Sequence, residues 1–234
     1  MRAAVIVFPG SNCDRDTYHV LKNVFGVDCH YVFHEERFAP TDFDLIVIPG
    51  GFSFGDYLRP GAIARFSPVM WSVQEASRIG KLVMGICNGF QILTEAGLLS
   101  GSLLRNINLK FVCREVHVKV VNNRTPFTCL FEEGEVIRMP IAHGEGRYFP
   151  SPSGLKPDQI VLQYCDEDGK TIDSTNPNGS YMNIAGIINE DGNVFGLMPH
   201  PERCCEDVLG NTDGKRFFES ILTYVSRRRV YATS

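Results

Sequence analysis

A cysteine between two glycines is the residue in this sequence best suited to nucleophilic chemistry. Cys87 stands in the run G-I-C-N-G (85–89), where an apolar strand meets a helix predicted over Asn88–Ala96. Nucleophiles on such strand-to-helix turns are exposed by a sharp bend, and flanking glycines avoid collisions with neighbouring backbone. The helix N-terminus would stabilise a thiolate, because its free N–H groups and dipole favour negative charge. The motif predicts an activated thiol, and the alternative is a buried cysteine that happens to lie between glycines.

A histidine and a glutamate near the end of the chain supply a candidate base and a group to orient it. In the segment M-P-H-P-E (198–202), prolines follow Met198 and His200, which disfavours helix and predicts an extended chain. Residues two apart in an extended chain share a face, so His200 and Glu202 are expected side by side. With Cys87 they would form a nucleophile, a base and an orienting acid, as in a catalytic triad. The alternative is an ordinary surface histidine and glutamate in a proline-rich loop.

The elements that must position these side chains alternate between strand and helix over the first hundred residues. Apolar runs predict strands at Ala3–Phe8, Asp44–Pro49 and Leu82–Ile86, and segments with helical spacing lie between them. Such alternation favours an α/β fold with a mostly parallel central sheet flanked by helices. Ligands gather at the carboxyl ends of strands in such sheets, so the loops at Pro9, Gly50 and Cys87 are expected to share one edge.

The remainder of the chain has a different residue pattern and contains no linker or repeat. After residue 110 the pattern becomes β-rich, with segments at Val116–Val121 and Val136–Ile141, and a final helix is predicted over Asp213–Val225. Length fits one large domain with a sizeable core, although two small domains are not excluded by length alone. We therefore expect a single domain over residues 1–234.

Composition excludes several classes of protein. The formal net charge of −4 and the pI near 5.9 argue against a nucleic-acid binder that relies on a basic surface. The one dense basic run, 227–229, is expected to be the solvated last turn of a helix, where cations are favourable. No stretch approaches the ~20 apolar residues of a membrane span, and the first ten residues lack the features of a secretory signal. The chain is expected in the cytoplasm, bound to neither nucleic acid nor membrane.

The eight cysteines predict neither disulfides nor a metal site. Their positions include no C-x-x-C pair, and cytosolic cysteines are ordinarily free thiols. A phosphate-binding G-x-x-x-x-G-K-[ST] loop is also missing, since G-N-T-D-G-K (210–215) does not fit it. We expect no metal and no cofactor on this chain.

These motifs resemble those of the class I (triad) glutamine amidotransferases, which hydrolyse glutamine to glutamate and ammonia. Within that family the chain is similar to the small glutaminase subunits of phosphoribosylformylglycinamidine synthases, which make formylglycinamidine ribonucleotide in purine biosynthesis. The resemblance covers nearly the whole chain, through FPGSNCDRD (8–16), PGGFSFGDYLRPGAIAR (49–65), AHGEGRY (142–148) and NIAGIINEDGNVFGLMPHPER (183–203). GGFSFGDYLR and HGEGRY are specific to that branch. The resemblance implies the flavodoxin-like fold of class I glutamine amidotransferases.

The predicted mechanism is attack of the cysteine on the side-chain amide of glutamine. His200 would take the thiol proton, return it to the leaving ammonia and then activate water to hydrolyse the thioester, while Glu202 holds the ring. The N–H of Asn88, directly after the nucleophile, is one expected oxyanion donor. The resemblance implies that the backbone of Gly51, in the pair with Gly50, is the other.

Further residues are candidates for the glutamine pocket. Gln91 lies four residues after the nucleophile, on the same side of the predicted helix, and the family's corresponding glutamine helps to shape the pocket. A plain surface glutamine is the alternative on spacing alone. Gly50, Asn108, Phe111 and His143 are also candidates, and His143 has the alternative of belonging to an interface.

A glutaminase without a nucleotide site needs a partner that consumes its ammonia. The resemblance implies that this partner is the large synthetase subunit, which uses ATP and Mg, and it allows a small bridging subunit as a third component. Two other functions remain open. One is a cysteine hydrolase or peptidase of similar fold that acts on something other than free glutamine. The other is a catalytically silent binding or regulatory subunit, which the intact triad argues against.

Overall fold

A nine-stranded sheet and a smaller two-stranded one organise the chain in a computed structural model, which describes residues 1–232 and the side chains of residues 1–228. Their strands are β1 (Arg2–Val7), β2 (Asp28–Phe33), β3 (Leu45–Ile48), β4 (Leu82–Ile86), β5 (Ser102–Leu104), β6 (Val112–Val120), β7 (Val136–His143), β8 (Arg147–Phe149), β9 (Ile160–Cys165), β10 (Ile184–Ile188) and β11 (Val194–Leu197). The large sheet has the order β2-β1-β3-β4-β11-β10-β9-β6-β7, and β5 pairs with β8 in the small one.

Four α-helices are found within the described residues. They are α1 (Asp14–His19), which continues into a π turn, α2 (Pro68–Arg78), α3 (Asn88–Glu95) and α4 (Lys215–Ala232). None of the helices in this part of the chain combines the length and the apolar character that crossing a lipid bilayer requires.

The large sheet has a parallel half and an antiparallel half. Every pairing from β2 through β1, β3 and β4 to β11 is parallel, and those from β11 through to β7 are antiparallel. Strands β3 and β4 are buried on both faces, as expected of parallel strands covered by helices. The predicted α/β fold is confirmed, and the β-rich segments after residue 110 form the antiparallel half.

Element boundaries differ from the predicted ones mainly at the last helix. Its predicted start, Asp213, is used in a turn instead, where its carboxylate accepts a hydrogen bond from the Arg138 N–H (2.8 Å). The helix therefore begins at Lys215 and runs to Ala232. The basic run at 227–229 lies on its last turns, as predicted, but the side chain of Arg229 is outside the described residues.

The loops predicted to share one sheet edge do so. The loop after β1 and the loop after β3 are joined by an isolated bridge between Ser11 and Gly51, with the Phe52 N–H donating to the Gly10 carbonyl (2.9 Å). The third loop carries Cys87 at the end of β4, which lies next to β3. The carboxyl ends of β1, β3 and β4 thus assemble one site.

Candidate active site

Cys87 occupies the strained turn that the sequence predicts. Its φ of 51° and ψ of −104° lie in a region that side chains rarely adopt, and its N–H donates to the Leu197 carbonyl at 2.8 Å. Strain of this kind persists only where the surroundings impose it, and it is typical of functional sites. The thiol is only 4% exposed, and its sulfur lies 3.6 Å from the Ala142 carbonyl. The geometry is that of a nucleophile elbow.

The glycines beside Cys87 let α3 lie directly on the sheet. A Cβ on Gly89 would overlap the carbonyl of Ile48, and a Cβ on Gly85 would lie 2.7 Å from the carbonyl carbon of Gly89. Side chains at either position would push α3 away from β3 and β4. Close packing therefore brings the positive end of the helix to the carboxyl ends of the strands.

His200 and Glu202 form a buried pair. The Nδ1 atom of His200 lies 2.6 Å from Oε1 of Glu202, and the two residues are 1% and 2% exposed. The predicted extended conformation is wrong beyond His200, because 201–203 form a 3-10 turn that begins with Pro201. Proline favours the first position of such a turn, since its φ is already fixed there. The two side chains meet nonetheless.

The hydrogen bond to Glu202 assigns the roles of the two ring nitrogens of His200. Nδ1 carries the proton that is donated to the carboxylate, so Nε2 is the atom left for a nucleophile; it has no partner within the described residues. Burial lowers the pKa of His200, but the Glu202 carboxylate and the Cys87 sulfur outweigh that effect and hold the pKa well above its usual value. His200 is therefore a strong acceptor for the thiol proton.

Two backbone N–H groups are available for a developing oxyanion. The Gly50 carbonyl accepts hydrogen bonds from the N–H groups of Asn12 (3.4 Å) and Cys13 (3.2 Å). Because the peptide is planar and trans, the N–H of Gly51 points the opposite way. Gly51 has a φ of +145°, and a Cβ there would lie 2.6 Å from the Asn12 nitrogen. The N–H of Asn88 is free of intrahelical acceptors because it begins α3.

Side chains of α3 tie two loops to the elbow. The Asn88 carbonyl oxygen accepts from the Ser53 N–H (3.0 Å), and its amide donates to Gln91 Oε1 (2.8 Å). Gln91 in turn donates to the Glu145 carbonyl at 2.6 Å. Gln91 is only 5% exposed, which excludes the plain surface glutamine. Together, Asn88 and Gln91 fix the loop after β3 and the loop after β7 around the nucleophile.

Asn106 is a site residue that the sequence did not single out. It is fully buried, and its amide donates to the carbonyls of Lys110 (2.8 Å) and His143 (2.9 Å). Its oxygen accepts from the Gly146 N–H (3.0 Å) and from Nδ1 of His143 (3.2 Å). Nδ1 of His143 therefore carries the ring proton, and Nε2 is an unprotonated atom without a partner among the described residues.

His143 is held neutral inside the site. Burial, followed by the charge of His200, lowers the pKa of His143 to about 4. The ring is 3% exposed, so within this chain it does not belong to an exposed interface. A Cβ on Gly146 would collide with the ring, which shows how tightly the loop after β7 packs on it.

Asn108 and Phe111 lie on the exposed loop that Asn106 anchors. The side chain of Asn108 accepts from the N–H of Lys110 (3.0 Å), so its hydrogen bond is local to the loop. Phe111 is 54% exposed, and its ring centroid lies 6.3 Å from that of Phe52. Their assignment to the pocket stays a prediction, and Asn106 is the asparagine of this loop that reaches the site.

The glycine pair and the base are in direct contact. A Cβ on Gly50 would lie 2.7 Å from Cε1 of His200 and 3.1 Å from Sγ of Cys13. Arg203 donates from Nη2 to the same sulfur at 2.9 Å. Cys13, like Arg203, was not predicted as a site residue, because neither belongs to a recognisable catalytic spacing.

A metal is disfavoured where these residues meet. Ligand atoms of Cys13, His200 and Glu202 lie within 4.8 Å of one another, a spacing that could hold an ion. However, the imidazole and carboxylate are bonded to each other, and the Arg203 guanidinium places a positive charge against the sulfur. The absence of a metal from the reaction stays a prediction.

Asp56 gives the site a pH-dependent contribution to stability. Its half-buried carboxylate accepts from the Asn88 amide (3.2 Å), and burial, followed by the charge of Glu145, raises its pKa to about 6. A raised carboxyl pKa stabilises the folded chain at low pH, and that stability is lost as the pH rises from about 4 through 6. We expect Asp56→Asn to raise the melting temperature at pH 7.5 but not at pH 4.5. Scanning calorimetry at both pH values measures this.

The control for that substitution is the exposed Asp191→Asn, which should change the melting temperature little at either pH. Destabilisation by Asp56→Asn of equal size at both pH values would contradict the assignment.

Comparisons with known proteins agree with the geometry. Residues 1–224 match the family of CobB/CobQ-like glutamine amidotransferase domains. PurQ, a phosphoribosylformylglycinamidine synthase subunit of Pseudothermotoga lettingae, is 61% identical over 232 residues and 99% of each chain. This chain belongs to the glutamine amidotransferase family. The resemblance found in its motifs is confirmed.

Other members of the glutamine amidotransferase family extend the comparison. The PurQ protein of Aquifex aeolicus is 51% identical over 227 residues, which cover 95% of this chain and 100% of that one. A chain from the solved structure of PurLQS of Thermotoga maritima has a TM-score of 0.86 and 51% identity, covering 96% of this chain and 98% of that one. A separate glutamine amidotransferase of T. maritima, 16% identical over 98% of this chain and 86% of that one, shares the fold with a TM-score of 0.58.

Proposed function

We propose that this amidotransferase is the glutaminase subunit of a phosphoribosylformylglycinamidine synthase. It hydrolyses glutamine and supplies ammonia to an ATP-dependent synthetase subunit, which converts formylglycinamide ribonucleotide to formylglycinamidine ribonucleotide in de novo purine biosynthesis. The observation that carries this proposal is a strained Cys87 and a buried His200–Glu202 pair in a chain that is 61% identical to PurQ over its length.

The reaction follows from the geometry of the triad. The Cys87 sulfur attacks the side-chain amide carbon of glutamine while its proton passes to Nε2 of His200. Collapse of the tetrahedral intermediate breaks the C–N bond, and the imidazolium returns that proton to the leaving nitrogen as ammonia departs. Water then loses a proton to Nε2 as it attacks the glutamyl thioester, and glutamate leaves as the thiol is reprotonated. Glu202 holds the ring and stabilises its charged form throughout.

The remaining site residues bind glutamine and the oxyanion. The N–H groups of Gly51 and Asn88 donate to the oxyanion, and losing one such donor costs ~3 kcal/mol of transition-state stabilisation. Gly50 allows the close approach of loop and base. Gln91 supports the pocket wall from α3, as its hydrogen bonds to both neighbouring elements suggest.

The proposed pocket is completed by one buried side chain, His143, and by two on an exposed loop, Asn108 and Phe111. His143 contributes an acceptor nitrogen that is buried and unpartnered among the described residues. Asn108 and Phe111 contribute from the rim, on the loop that Asn106 anchors to the site.

The partner supplies the nucleotide chemistry. The sequence has no phosphate-binding loop, so ATP and Mg are used by the large synthetase subunit, with a small bridging subunit in the same complex. The solved PurLQS of T. maritima supports such an assembly. The chain itself carries no cofactor or metal, and it functions in the cytoplasm.

The proposal is tested by reconstitution with the synthetase subunits. Formylglycinamidine ribonucleotide should form with glutamine as nitrogen donor only when this chain is present. A high concentration of ammonia should replace both glutamine and this chain. Purified chain treated with EDTA before reconstitution should support the same rate. Synthesis from glutamine without this chain, or a rate restored after EDTA only by zinc, would contradict the proposal. A peptidase of similar fold would show no competition between glutamine and its own substrate for Cys87.

A further inference from the structure

Cys13 is a buried thiol at the centre of the site with no role in the steps above. It lies in the loop after β1, just before α1, and is 2% exposed. Its sulfur, a ring nitrogen of His200 and a carboxylate oxygen of Glu202 are within 4.8 Å of one another. Nothing in the triad mechanism requires a second sulfur there.

The main chain of Cys13 supports the oxyanion loop. Its N–H donates to the Gly50 carbonyl at 3.2 Å, next to the weaker bond from Asn12 at 3.4 Å. These bonds set the plane of the peptide that joins Gly50 to Gly51, and so the direction of the Gly51 N–H.

The thiol of Cys13 packs against the base. A Cβ on Gly50 would lie 2.7 Å from Cε1 of His200 and 3.1 Å from the Cys13 sulfur, so there is no room for a side chain where these three residues meet. The ring of His200 is fixed at Nδ1 by Glu202 alone, and its Nε2 has no partner among the described residues. The sulfur therefore restricts the ring where hydrogen bonding does not.

Arg203 holds the sulfur of Cys13 in place. Its guanidinium donates to Sγ of Cys13 at 2.9 Å and lies 3.7 Å from the carboxylate of Asp16 on α1. Arg203 directly follows Glu202 in the chain, so the contact joins the loop after β1 to the segment that carries both the base and its orienting acid.

We propose that Cys13 is a positioning residue that aligns the oxyanion donor with the base: its N–H orients the Gly51 peptide, and its thiol, held by Arg203, fixes the imidazole of His200. This inference rests on the proposed glutaminase function. The N–H of Cys13 is present whichever side chain stands at position 13, whereas the contribution of the thiol can be tested by substitution.

The test compares variants in the reconstituted complex. Cys13→Ala should lower kcat for glutamine hydrolysis about 10-fold, since small misplacements of catalytic groups reduce rates steeply, and should leave KM nearly unchanged. Cys13→Ser should retain most of the activity, because a hydroxyl also accepts a hydrogen bond from Arg203. The matched control is Cys29→Ala, which removes a buried thiol from β2, away from the site. Ammonia-dependent synthesis should be unchanged in all three.

A pH profile separates positioning from a merely structural role. The groups that act on the His200 ring are Glu202, Cys87, Cys13 and His143. The nearby Cys13 thiol raises the pKa of His200, so its removal should move the acid limb of kcat/KM to lower pH. Cys29→Ala should not move that limb.

Wild-type kcat and an unshifted acid limb in Cys13→Ala would overturn the inference, as would an equal loss in Cys29→Ala. Should Cys13→Ala fail to fold, Arg203→Gln removes the charged donor to the sulfur and leaves the main chain of Cys13 in place. It is expected to lower kcat in the same way, and an unchanged kcat would overturn the inference. A wild-type complex that does not hydrolyse glutamine would instead refute the proposed function itself.

Discussion

Cys87→Ser is expected to abolish glutamine-dependent synthesis by the assembled complex while ammonia-dependent synthesis persists. Serine fits the strained elbow, but its hydroxyl has a pKa far above that of a thiol, so the helix N-terminus and His200 cannot generate a comparable nucleophile. Removing the nucleophile of a triad costs on the order of 10⁴ to 10⁶ in kcat. Glutamate release by the wild-type and variant complexes measures the loss.

The control for this variant is Cys113→Ser, which changes an exposed thiol on β6 and should leave glutamine hydrolysis intact. A Cys87→Ser complex that hydrolyses glutamine within tenfold of the wild-type rate would mean that another group is the nucleophile. Failure of the Cys87→Ser chain to co-sediment with the synthetase subunits would mean that the substitution disrupts the complex rather than the chemistry.

Glu202→Gln is expected to have the second largest effect, lowering kcat by about 10³- to 10⁴-fold. Substituting the orienting acid of a triad by its amide has a cost of this size because the imidazolium loses its counterion and the ring its tautomer. Glu202 is 2% exposed, and one of its oxygens has no partner within the described residues, so the amide would also bury an unsatisfied donor. Steady-state glutaminase kinetics at several pH values measure both effects.

The pH dependence of Glu202→Gln has a definite sign. Glu202 opposes the effect of burial and raises the pKa of His200, so its loss should move the acid limb of kcat/KM to lower pH. The matched control is Glu206→Gln, since Glu206 forms an exposed pair with His19 (2.9 Å). A Glu202→Gln complex as active as the Glu206→Gln complex would refute the role of the acid.

The nucleophile, its turn and the parallel half of the sheet were predictable because their signals are local. Apolar runs give β3 and β4, and the glycines around Cys87 indicate the close packing of α3. The base and acid of the triad could be predicted from His200, which prolines flank, and from the glutamate two residues later. The local geometry predicted there was nevertheless wrong. Pro201 begins a 3-10 turn, and this turn, rather than an extended chain, brings the side chains of His200 and Glu202 together.

What the sequence could not predict depends on contacts between distant segments. Asn106 and Asn108 stand two residues apart in one polar loop, and nothing in their spacing shows that Asn106 bonds to His143 while Asn108 bonds within its loop. Cys13 and Arg203 are 190 positions apart and meet only because β1 and the segment after β11 end at the same sheet edge. Such residues become visible only once the topology is known.

Intact-mass spectrometry of the complex after incubation with 6-diazo-5-oxo-norleucine, an electrophilic mimic of glutamine, tests whether this chain is a glutaminase that acts through Cys87. We expect a single adduct on this chain, located at Cys87, suppressed by excess glutamine and missing from Cys87→Ser. An adduct that persists in Cys87→Ser, or that glutamine does not suppress, would contradict the assignment of this chain as a glutaminase that acts through Cys87.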